Sequence, residues 1–254
     1  MIVEYSPFHR WHKDAVEHPE EFFGTKNKKR ILSTLPRISD HPITHEIKPL
    51  DQGFLDWFIP KYSEVIGSKD NAVVHDIYEA TLGNKESKSE YWCLELREHN
   101  KPIGGTIFGV REDKIMVAFK VYPYNWSEGT LQANPSLYTE YLLAKHAFDL
   151  GKSSISHGKD RNPYGINAAI GLAIFKLSTG YRPYLLVESE DCQSETIDTG
   201  TITIDSLLLH HPQTNPFDDP IVEASLFTTR ETESKYAQVH GYPDALKVTT
   251  HYLD

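Results

Sequence analysis

Apolar and polar residues alternate along residues 43–123 in a way that predicts strands around one helix. The segment ITHEIKPL (43–50) alternates like a strand, and residues 51–66 carry apolar side chains at helical spacing. Three further alternating runs follow, at 91–98, 103–110 and 115–123. Short polar turns separate these three runs, so they predict a three-stranded antiparallel meander.

Capping signals predict two further helices. Asn134-Pro135 supplies an N-cap with proline at the first helical position, and Gly151 supplies the residue after the C-cap. Asn162-Pro163 repeats this device before a helix predicted over residues 164–180. That helix is apolar from 166 to 177 except at Asn167 and Lys176, which predicts burial on most of its sides.

The remaining patterns are shorter and complete a mixed α/β chain. We expect a second helix over 71–82 ending at Gly83, a helix near 229–239, and strands at 153–158, 184–189, 199–210 and 246–253. Residues 1–42 show no clear period and predict an N-terminal arm. Residues 43–190 predict the principal domain, and 191–254 a C-terminal extension packed on it.

Composition narrows the class of protein. A formal net charge of −10 argues against a general nucleic-acid binder, although KNKKR (26–30) is locally basic and could be a solvated loop or a phosphate or RNA contact. The two cysteines are too few for a disulfide framework and indicate a reducing compartment. The start shows no signal-peptide pattern and no stretch is long and apolar enough to span a membrane, so we expect a cytoplasmic protein without a membrane partner.

Several familiar sites are not supported. GKSS (151–154) lacks the first glycine of a phosphate-binding loop and leads from helix to strand, and no serine lies in a G-x-S-x-G motif. The pairs His9/His12 and His210/His211 lack further ligands at zinc spacing, so we interpret them as surface histidines and predict no metal. Cys93 lies mid-strand and is predicted to be a core residue.

Polar residues that could carry chemistry concentrate in HGKDRNPYG (157–165). His157, Asp160, Arg161 and Tyr164 lie between a predicted strand and a predicted helix, where α/β folds place ligands. The helix N-terminus could bind an anion or an oxyanion. The alternative is a capping loop in which Asp160 and Asn162 satisfy backbone donors.

Lys176 is the second candidate, because a cation on a buried apolar helix needs a partner. Its alternative is a lysine of the last helical turn that extends to solvent. Glu140 and Tyr141 on the preceding helix are further candidates, although mid-helix glutamates usually face solvent.

The order of these elements is similar to the GNAT acyltransferase fold over residues 43–190. More narrowly, IGGTIF, the helix ending AFDLG, and SISHGKD…GLAIFKLSTGYRP resemble the GNAT-like domain of the Fem-type peptidyltransferases. That group has a polar strand-loop before a helix that ends in a phenylalanine-lysine pair and a glycine, which Phe175, Lys176 and Gly180 match. The Q/R-x-x-G-x-G/A loop that holds coenzyme A in ordinary GNAT enzymes is absent from residues 122–141, where Gly129 is the single glycine.

The resemblance implies an N-acyltransferase in which an amine attacks an activated carbonyl without a covalent enzyme intermediate. His157 or Asp160 would take the amine proton, Lys176 or backbone N–H groups near Phe119–Val121 would stabilise the oxyanion, and Tyr164 would protonate the leaving group. Four residues are expected to contact substrate: Glu140, Tyr141, Arg161 and Asn162. The donor stays open between acyl-CoA and aminoacyl-tRNA, and the rival interpretation is a catalytically silent GNAT-like module that binds a small ligand or a partner protein.

Overall fold

The computed structural model describes residues 2–68, 73–84, 89–127, 131–158, 160–164, 167–185, 194–210 and 222–254. Within these ranges the strands, in chain order, are β1 (Ile2–Tyr5), β2 (Phe8–Asp14), β3 (Ile43–Pro49), β4 (Glu90–Glu98), β5 (Lys101–Val110), β6 (Lys114–Val121), β7 (Ser154–His157), β8 (Asp160–Arg161), β9 (Arg182–Leu185), β10 (Glu195–Asp198), β11 (Ser206–His210), β12 (Val222–Thr228) and β13 (Leu246–Tyr252). The α-helices are α1 (Thr25–Thr34), α2 (Gln52–Gly67), α3 (Ile77–Ala80), α4 (Pro135–Asp149), α5 (Asn167–Ser178) and α6 (Glu233–Tyr236).

The chain forms two compact units, one of residues 14–156 and one of residues 1–13 with 157–254. The division predicted at residues 43 and 190 differs from this one and stays a prediction. The mixed α/β class is confirmed, because sheets and helices alternate along both units.

Residues 14–156 contain the antiparallel sheet that the sequence predicts. Strands β3, β4, β5 and β6 pair antiparallel in chain order, and β7 follows β6 in the strand order. Helix α2 packs Phe54 and Phe58 into a buried cluster with Cys93, Ile107 and Val121. The predicted core position of Cys93 is therefore confirmed.

The Gly-Gly pair of β5 lets aromatic rings lie directly on the sheet. A Cβ atom added at Gly104 would come within 2.1 Å of the Tyr122 ring, and one at Gly105 within 2.7 Å of the Phe54 ring. The Tyr122 hydroxyl shares a 2.6 Å hydrogen bond with the Thr106 hydroxyl. Burial raises the Tyr122 pKa far above its usual value.

Helix α4 begins and ends as its capping residues predict. The Asn134 side chain accepts a hydrogen bond of 2.8 Å from the Leu137 N–H, and Pro135 occupies the first helical position. Gly151 has a φ of 66°, the left-handed conformation that glycine adopts without strain.

Residues 1–13 and 157–254 form a second group of short sheets. Strand β1 pairs with β10, β2 pairs antiparallel with β8 and β9, and β12 joins antiparallel β11 to parallel β13. A cluster of buried apolar side chains holds β1 against this region: Val3, Tyr5, Ile202, Leu208 and Phe227.

Residues 1–42 differ most from the prediction, because they contain β1, β2 and α1 instead of an irregular arm. The pattern of apolar residues does not predict β2, because two of its three buried side chains are the polar residues His9 and Lys13. The KNKKR segment is part of α1, not a loop.

Three other predicted elements are shorter or begin elsewhere. The helix expected over 71–82 is α3 within the described residues, which exclude 71 and 72. The strand expected over 199–210 is interrupted, because Asp198 caps a 3-10 turn through the Gly200 N–H before β11 begins. Residues 186–189 of another expected strand lie outside the described residues.

Within the described residues α5 spans Asn167–Ser178, and residues 165 and 166, which precede it, lie outside them. Burial of this helix is less complete than its composition predicts, because Leu172 is about half exposed (51%). The strand at 246–253 is confirmed as β13, and the helix near 229–239 as α6 followed by a 3-10 turn.

Candidate functional site

The buried face of β2 is mostly polar. His9, Trp11 and Lys13 are buried, whereas Arg10 and His12 between them are exposed. Because successive side chains of a strand point to opposite faces, the three buried residues share one face. Burying polar groups costs free energy unless partners compensate it, so this face of β2 and its neighbours form the candidate functional site.

Lys176 meets this face and has a charged partner. Its ammonium forms an ion pair with the Asp160 carboxylate, and it lies 5.4 Å from the centroid of the Trp11 ring. The Lys176 side chain is 5% exposed and that of Asp160 is 37% exposed. Lys176 therefore does not extend to solvent, and the carboxylate is the solvent-accessible side of the pair.

His9 lies beside this pair. The antiparallel register of β2 and β8 places His9 directly opposite Asp160, and the His9 and Trp11 rings meet edge to face at 5.4 Å. Neither ring nitrogen of His9 has a hydrogen-bond partner among the described residues. Burial lowers the His9 pKa to about 4, with Asp160 opposing the change and Lys176 adding to it, so the ring is neutral at pH 7.

His157 reaches the same face through an aromatic contact. The His157 and Tyr181 rings lie 4.6 Å apart, and the Lys13 ammonium lies 4.3 Å from the Tyr181 ring centroid. Lys13 also donates a hydrogen bond of 3.4 Å to the Thr179 carbonyl. We call the whole group the β2 cluster; it consists of His9, Trp11, Lys13, His157, Asp160, Lys176 and Tyr181.

The β2 cluster joins three of the predicted site residues, His157, Asp160 and Lys176. His9, Trp11 and Lys13 were not predicted as site residues, and the interpretation of His9 as a surface residue is wrong, because it is buried. The period-two pattern of FHRWHKD, with its buried positions all odd-numbered, is the signal that could have found them.

Asn162 is used by the backbone. Its amide nitrogen donates to the carbonyls of Ser6 and Leu209 at 2.9 and 2.7 Å, and its oxygen accepts from the N–H groups of Leu209 and Tyr164 at 3.1 and 3.4 Å. A primary amide offers two donors and one oxygen with two lone pairs, so these contacts fill its capacity. They support the alternative of a residue that satisfies backbone groups.

Arg161 and Tyr164 lie close to the cluster in sequence, with different surroundings. Arg161 is exposed and pairs with Phe8 in the register of β2 and β8. Tyr164 packs edge to face on Tyr5, with ring centroids 6.2 Å apart, beside the apolar cluster of β1 and β11. Its predicted role as an acid stays untested.

Glu140 and Tyr141 belong to the unit of residues 14–156. Glu140 is fully buried and forms an ion pair with Lys120 of β6, so it does not face solvent. Tyr141 packs against the Phe23, Ile31 and Leu137 cluster, and burial raises its pKa. The Phe119–Val121 backbone pairs with Gly105–Ile107 of β5 beyond an irregularity at Ala118.

In the described part of the connection from β6 to α4, a carboxylate already occupies one backbone donor. The Ser127 N–H donates to both oxygens of the buried Glu98 carboxylate at 3.1 Å, and the Trp126 indole N–H donates to the Ala133 carbonyl. A carboxylate at this N–H disfavours an anion there, because it occupies the donor and its negative charge repels phosphate. Residues 128–130, with Gly129, lie outside the described residues.

This chain is similar in structure to several solved proteins. No family model and no curated protein matches the chain. The FemX crystal structure is similar with a TM-score of 0.52 at 12% identity, covering 71% of this chain and 60% of FemX. The fold is GNAT-like and related to that of the Fem-type proteins. At this identity the GNAT-like resemblance concerns the fold, and the chain spans about 60% of the length of FemX.

Two further solved structures are similar with lower TM-scores. L-PGS from Bacillus licheniformis has a TM-score of 0.44 at 14% identity, covering 75% of this chain and 63% of its own. A conserved protein of unknown function from Bacteroides thetaiotaomicron has a TM-score of 0.46 at 16% identity, covering 73% and 62%.

The described residues contain no group of three or more histidine, cysteine, aspartate or glutamate residues placed to hold a metal ion. None of their helices combines the length and the apolar character that crossing a membrane requires.

Proposed function

We propose that this GNAT-like protein is an N-acyltransferase, which transfers an acyl or aminoacyl group from an activated donor to an amine. The observation that supports this best is the buried Lys176–Asp160 ion pair, set in the β2 cluster between β8 and α5. The phenylalanine-lysine pair of the Fem-type resemblance supplies this same lysine, and FemX has a similar fold.

The pair suits direct attack of an amine on a carbonyl. A buried ammonium stabilises an oxyanion more strongly than an exposed one, because solvent screens it less. The part-exposed Asp160 carboxylate can hold the incoming ammonium and pass its proton to water, and His157 is the second candidate for that proton. Both roles are part of the proposal.

We propose an aminoacyl ester, as in aminoacyl-tRNA, as the first donor to test. The Glu98 carboxylate on the Ser127 N–H argues against coenzyme A bound in the ordinary GNAT manner. An acyl-CoA thioester is the second donor, and a small-molecule amine is the acceptor in either case. We place the protein in the cytoplasm, where both donors occur.

The test is a transfer assay with mass-spectrometric detection of the new amide bond. The full chain is incubated with mixed aminoacyl-tRNA or with acetyl-CoA and a panel of small amines. Lys176→Met and Asp160→Asn should each lower turnover by at least 10²-fold, since each leaves a buried charge unpaired or absent. Lys145→Met is the matched control, because Lys145 is an exposed helical lysine paired with Asp149.

The second candidate is a catalytically silent module that binds a ligand. Two observations favour it: Asp160 is already paired with Lys176, and burial lowers the pKa of His9, which makes it a weak base. Calorimetric titration of acetyl-CoA and of a non-hydrolysable aminoacyl-adenosine separates the two functions. Binding that Lys176→Met leaves intact, without turnover by the original chain, would favour the silent module.

A further inference from the structure

We infer that His9 is a catalytic residue of the proposed transfer, whose imidazole N–H donates a hydrogen bond to the carbonyl oxygen of the acyl donor. This inference rests on the proposed function and adds a group that neither the motif nor the Fem-type resemblance supplies. It places the reacting carbonyl between His9 and Lys176, on the side of the β2 cluster where the Asp160 carboxylate is part-exposed.

The first support is the pair of unpartnered nitrogens. His9 is 2% exposed, and neither Nδ1 nor Nε2 has a hydrogen-bond partner among the described residues. Buried polar atoms of native proteins nearly always have partners, so two such atoms in one ring call for a bound group. A neutral imidazole offers one donor and one acceptor, and a carbonyl oxygen takes the donor.

The second support is the placement of the ring. Pairing of β2 with β8 fixes His9 opposite Asp160, and the Trp11 ring packs on its edge. Lys176 lies close enough for its charge to act on His9, and it contacts the same Trp11 ring. A rigid strand therefore holds the donor beside a cation, the arrangement that stabilises a developing oxyanion without reorganisation.

The protonation state supports a donor that does not titrate during the reaction. Burial keeps the His9 pKa at about 4, so the ring carries one proton across the physiological range. The charged groups that act on it are Asp160 from β8 and Lys176 from α5. A neutral N–H in a dry site polarises a carbonyl without placing a further positive charge beside Lys176.

The step balances without an external reagent. The amine lone pair forms the new C–N bond, and the carbonyl π electrons move onto the oxygen, which His9 and Lys176 stabilise. The amine proton passes to Asp160 or His157 and on to water. Collapse of the intermediate re-forms the carbonyl and breaks the bond to the leaving sulfur or ribose oxygen. The leaving atom takes up, through water, the proton that the amine nitrogen gives up, and His9 keeps its own proton throughout.

The test compares His9→Leu and His9→Gln with the original chain, and uses His12→Leu as a control on the exposed face of the same strand. We expect His9→Leu to lower kcat on the order of 10²-fold with little change in KM, because the donor acts mainly in the transition state. His9→Gln keeps an N–H donor and should recover part of this loss. His12→Leu should leave kcat unchanged.

Thermal unfolding gives a readout that separates catalysis from structure. If the ring has no structural partner, His9→Leu should raise Tm by a few degrees, since it removes two unsatisfied polar atoms. A lower Tm together with lost activity would mean that the ring makes structural bonds, and would overturn the inference.

Two other results would overturn it while leaving the proposed function in place. One is full turnover by His9→Leu when Lys176→Met is inactive, which would mean that the His9 ring only packs in the core and takes no part in catalysis. The other is a break near pH 6.5 in the kcat profile that His9→Gln abolishes, which would make His9 a titrating base. A folded original chain without turnover on any donor would instead overturn the proposed function, and the role of His9 with it.

Discussion

Individual polar side chains hold distant segments of residues 1–13 and 157–254 together. The Asn162 amide joins the backbone at Ser6 to that at Leu209, segments more than a hundred residues from one another in the chain. In the other unit, Lys120 and Glu140 join β6 to α4 through a buried ion pair. Each of these positions loses several interactions when one side chain changes.

We expect Asn162→Leu to lower the free energy of unfolding by about 2–4 kcal/mol, because it leaves buried N–H and C=O groups without partners. Urea unfolding measures this change, and the exposed Asn125→Leu is the control. A loss below about 0.5 kcal/mol would show that water replaces the amide. The folded fraction of Asn162→Leu, and that of Asn125→Leu, should each keep normal turnover per molecule.

The Lys120–Glu140 pair should show strong coupling. Glu140→Gln leaves a part-buried ammonium without its carboxylate and should cost about 3 kcal/mol, whereas Lys120→Met with Glu140→Met should cost less than Glu140→Met alone. A double-mutant cycle by urea unfolding measures the coupling. The exposed Lys61–Glu64 pair, which should couple by less than about 1 kcal/mol, is the comparison; equal coupling in both pairs would contradict this prediction.

His9 predicts a pH dependence of stability. Its pKa is about 4 in the folded chain and about 6.5 when unfolded, so the unfolded chain binds more protons between these values. The stabilisation is therefore complete above pH 6.5 and is lost as the pH falls towards 4, by roughly 3 kcal/mol in total. Urea unfolding at pH 7 and pH 5 should show about 2 kcal/mol of this loss from His9, in the original chain and in His12→Leu. The loss in His9→Leu should be smaller by that amount, because His45, His146 and His251, whose pKa values burial also lowers, still contribute.

At the scale of elements, the sequence predicts best where packing follows the apolar pattern. Strands β3 to β6 and helices α2 and α4 were predictable, because their apolar spacing and their caps agree with the fold. Strand β2 was not, because His9 and Lys13 occupy buried positions where a pattern search expects apolar residues. The site residues divide in the same way. Lys176 and Asp160 were predictable, because a charged residue is conspicuous beside an apolar helix, whereas His9 joins them only through the pairing of β2 with β8.

Two glycines test how packing decides the effect of a single methyl group. Gly104→Ala places a Cβ against the Tyr122 ring and should cost about 1–3 kcal/mol. Gly171→Ala lies on the exposed side of α5 with no atom within 4 Å of the added Cβ, and should stabilise by about 0.5–1 kcal/mol. Urea midpoints of the two variants should move in opposite directions; a shared direction would contradict the packing described for β5.

At the scale of the whole molecule, the chain crosses between its two units twice. Residues 14–156 are continuous, whereas the other unit takes β1 and most of β2 from the start of the chain and the rest from residues 157–254. Each unit has its own apolar clusters. Residues 1–13 thus supply strands to two sheets, and removing them takes away the partners of other strands.

We expect deletion of residues 1–13 to unfold much of 157–254, because β8, β9 and β10 lose the strands with which they pair. Hydrogen exchange followed by peptide mass spectrometry measures the effect by region. Peptides from 157–254 should lose protection, and peptides from 14–156 should keep most of theirs. Unchanged protection of 157–254 would support the arm predicted from the sequence.

The pairing of His9 with Asp160 also sets the order in which a ribosome can complete this protein. About 150 residues separate the two partners, so β2 leaves the exit tunnel long before β8 and β9 exist. Residues 14–156 can meanwhile form their sheet from pairings between neighbouring strands, which are fast. Strand β2 stays unpaired during this time, and its polar His9 and Lys13 side chains make it less prone to aggregate than an apolar strand. The β2 cluster therefore cannot assemble before Tyr181 has been synthesised, and no ligand can bind the complete cluster earlier.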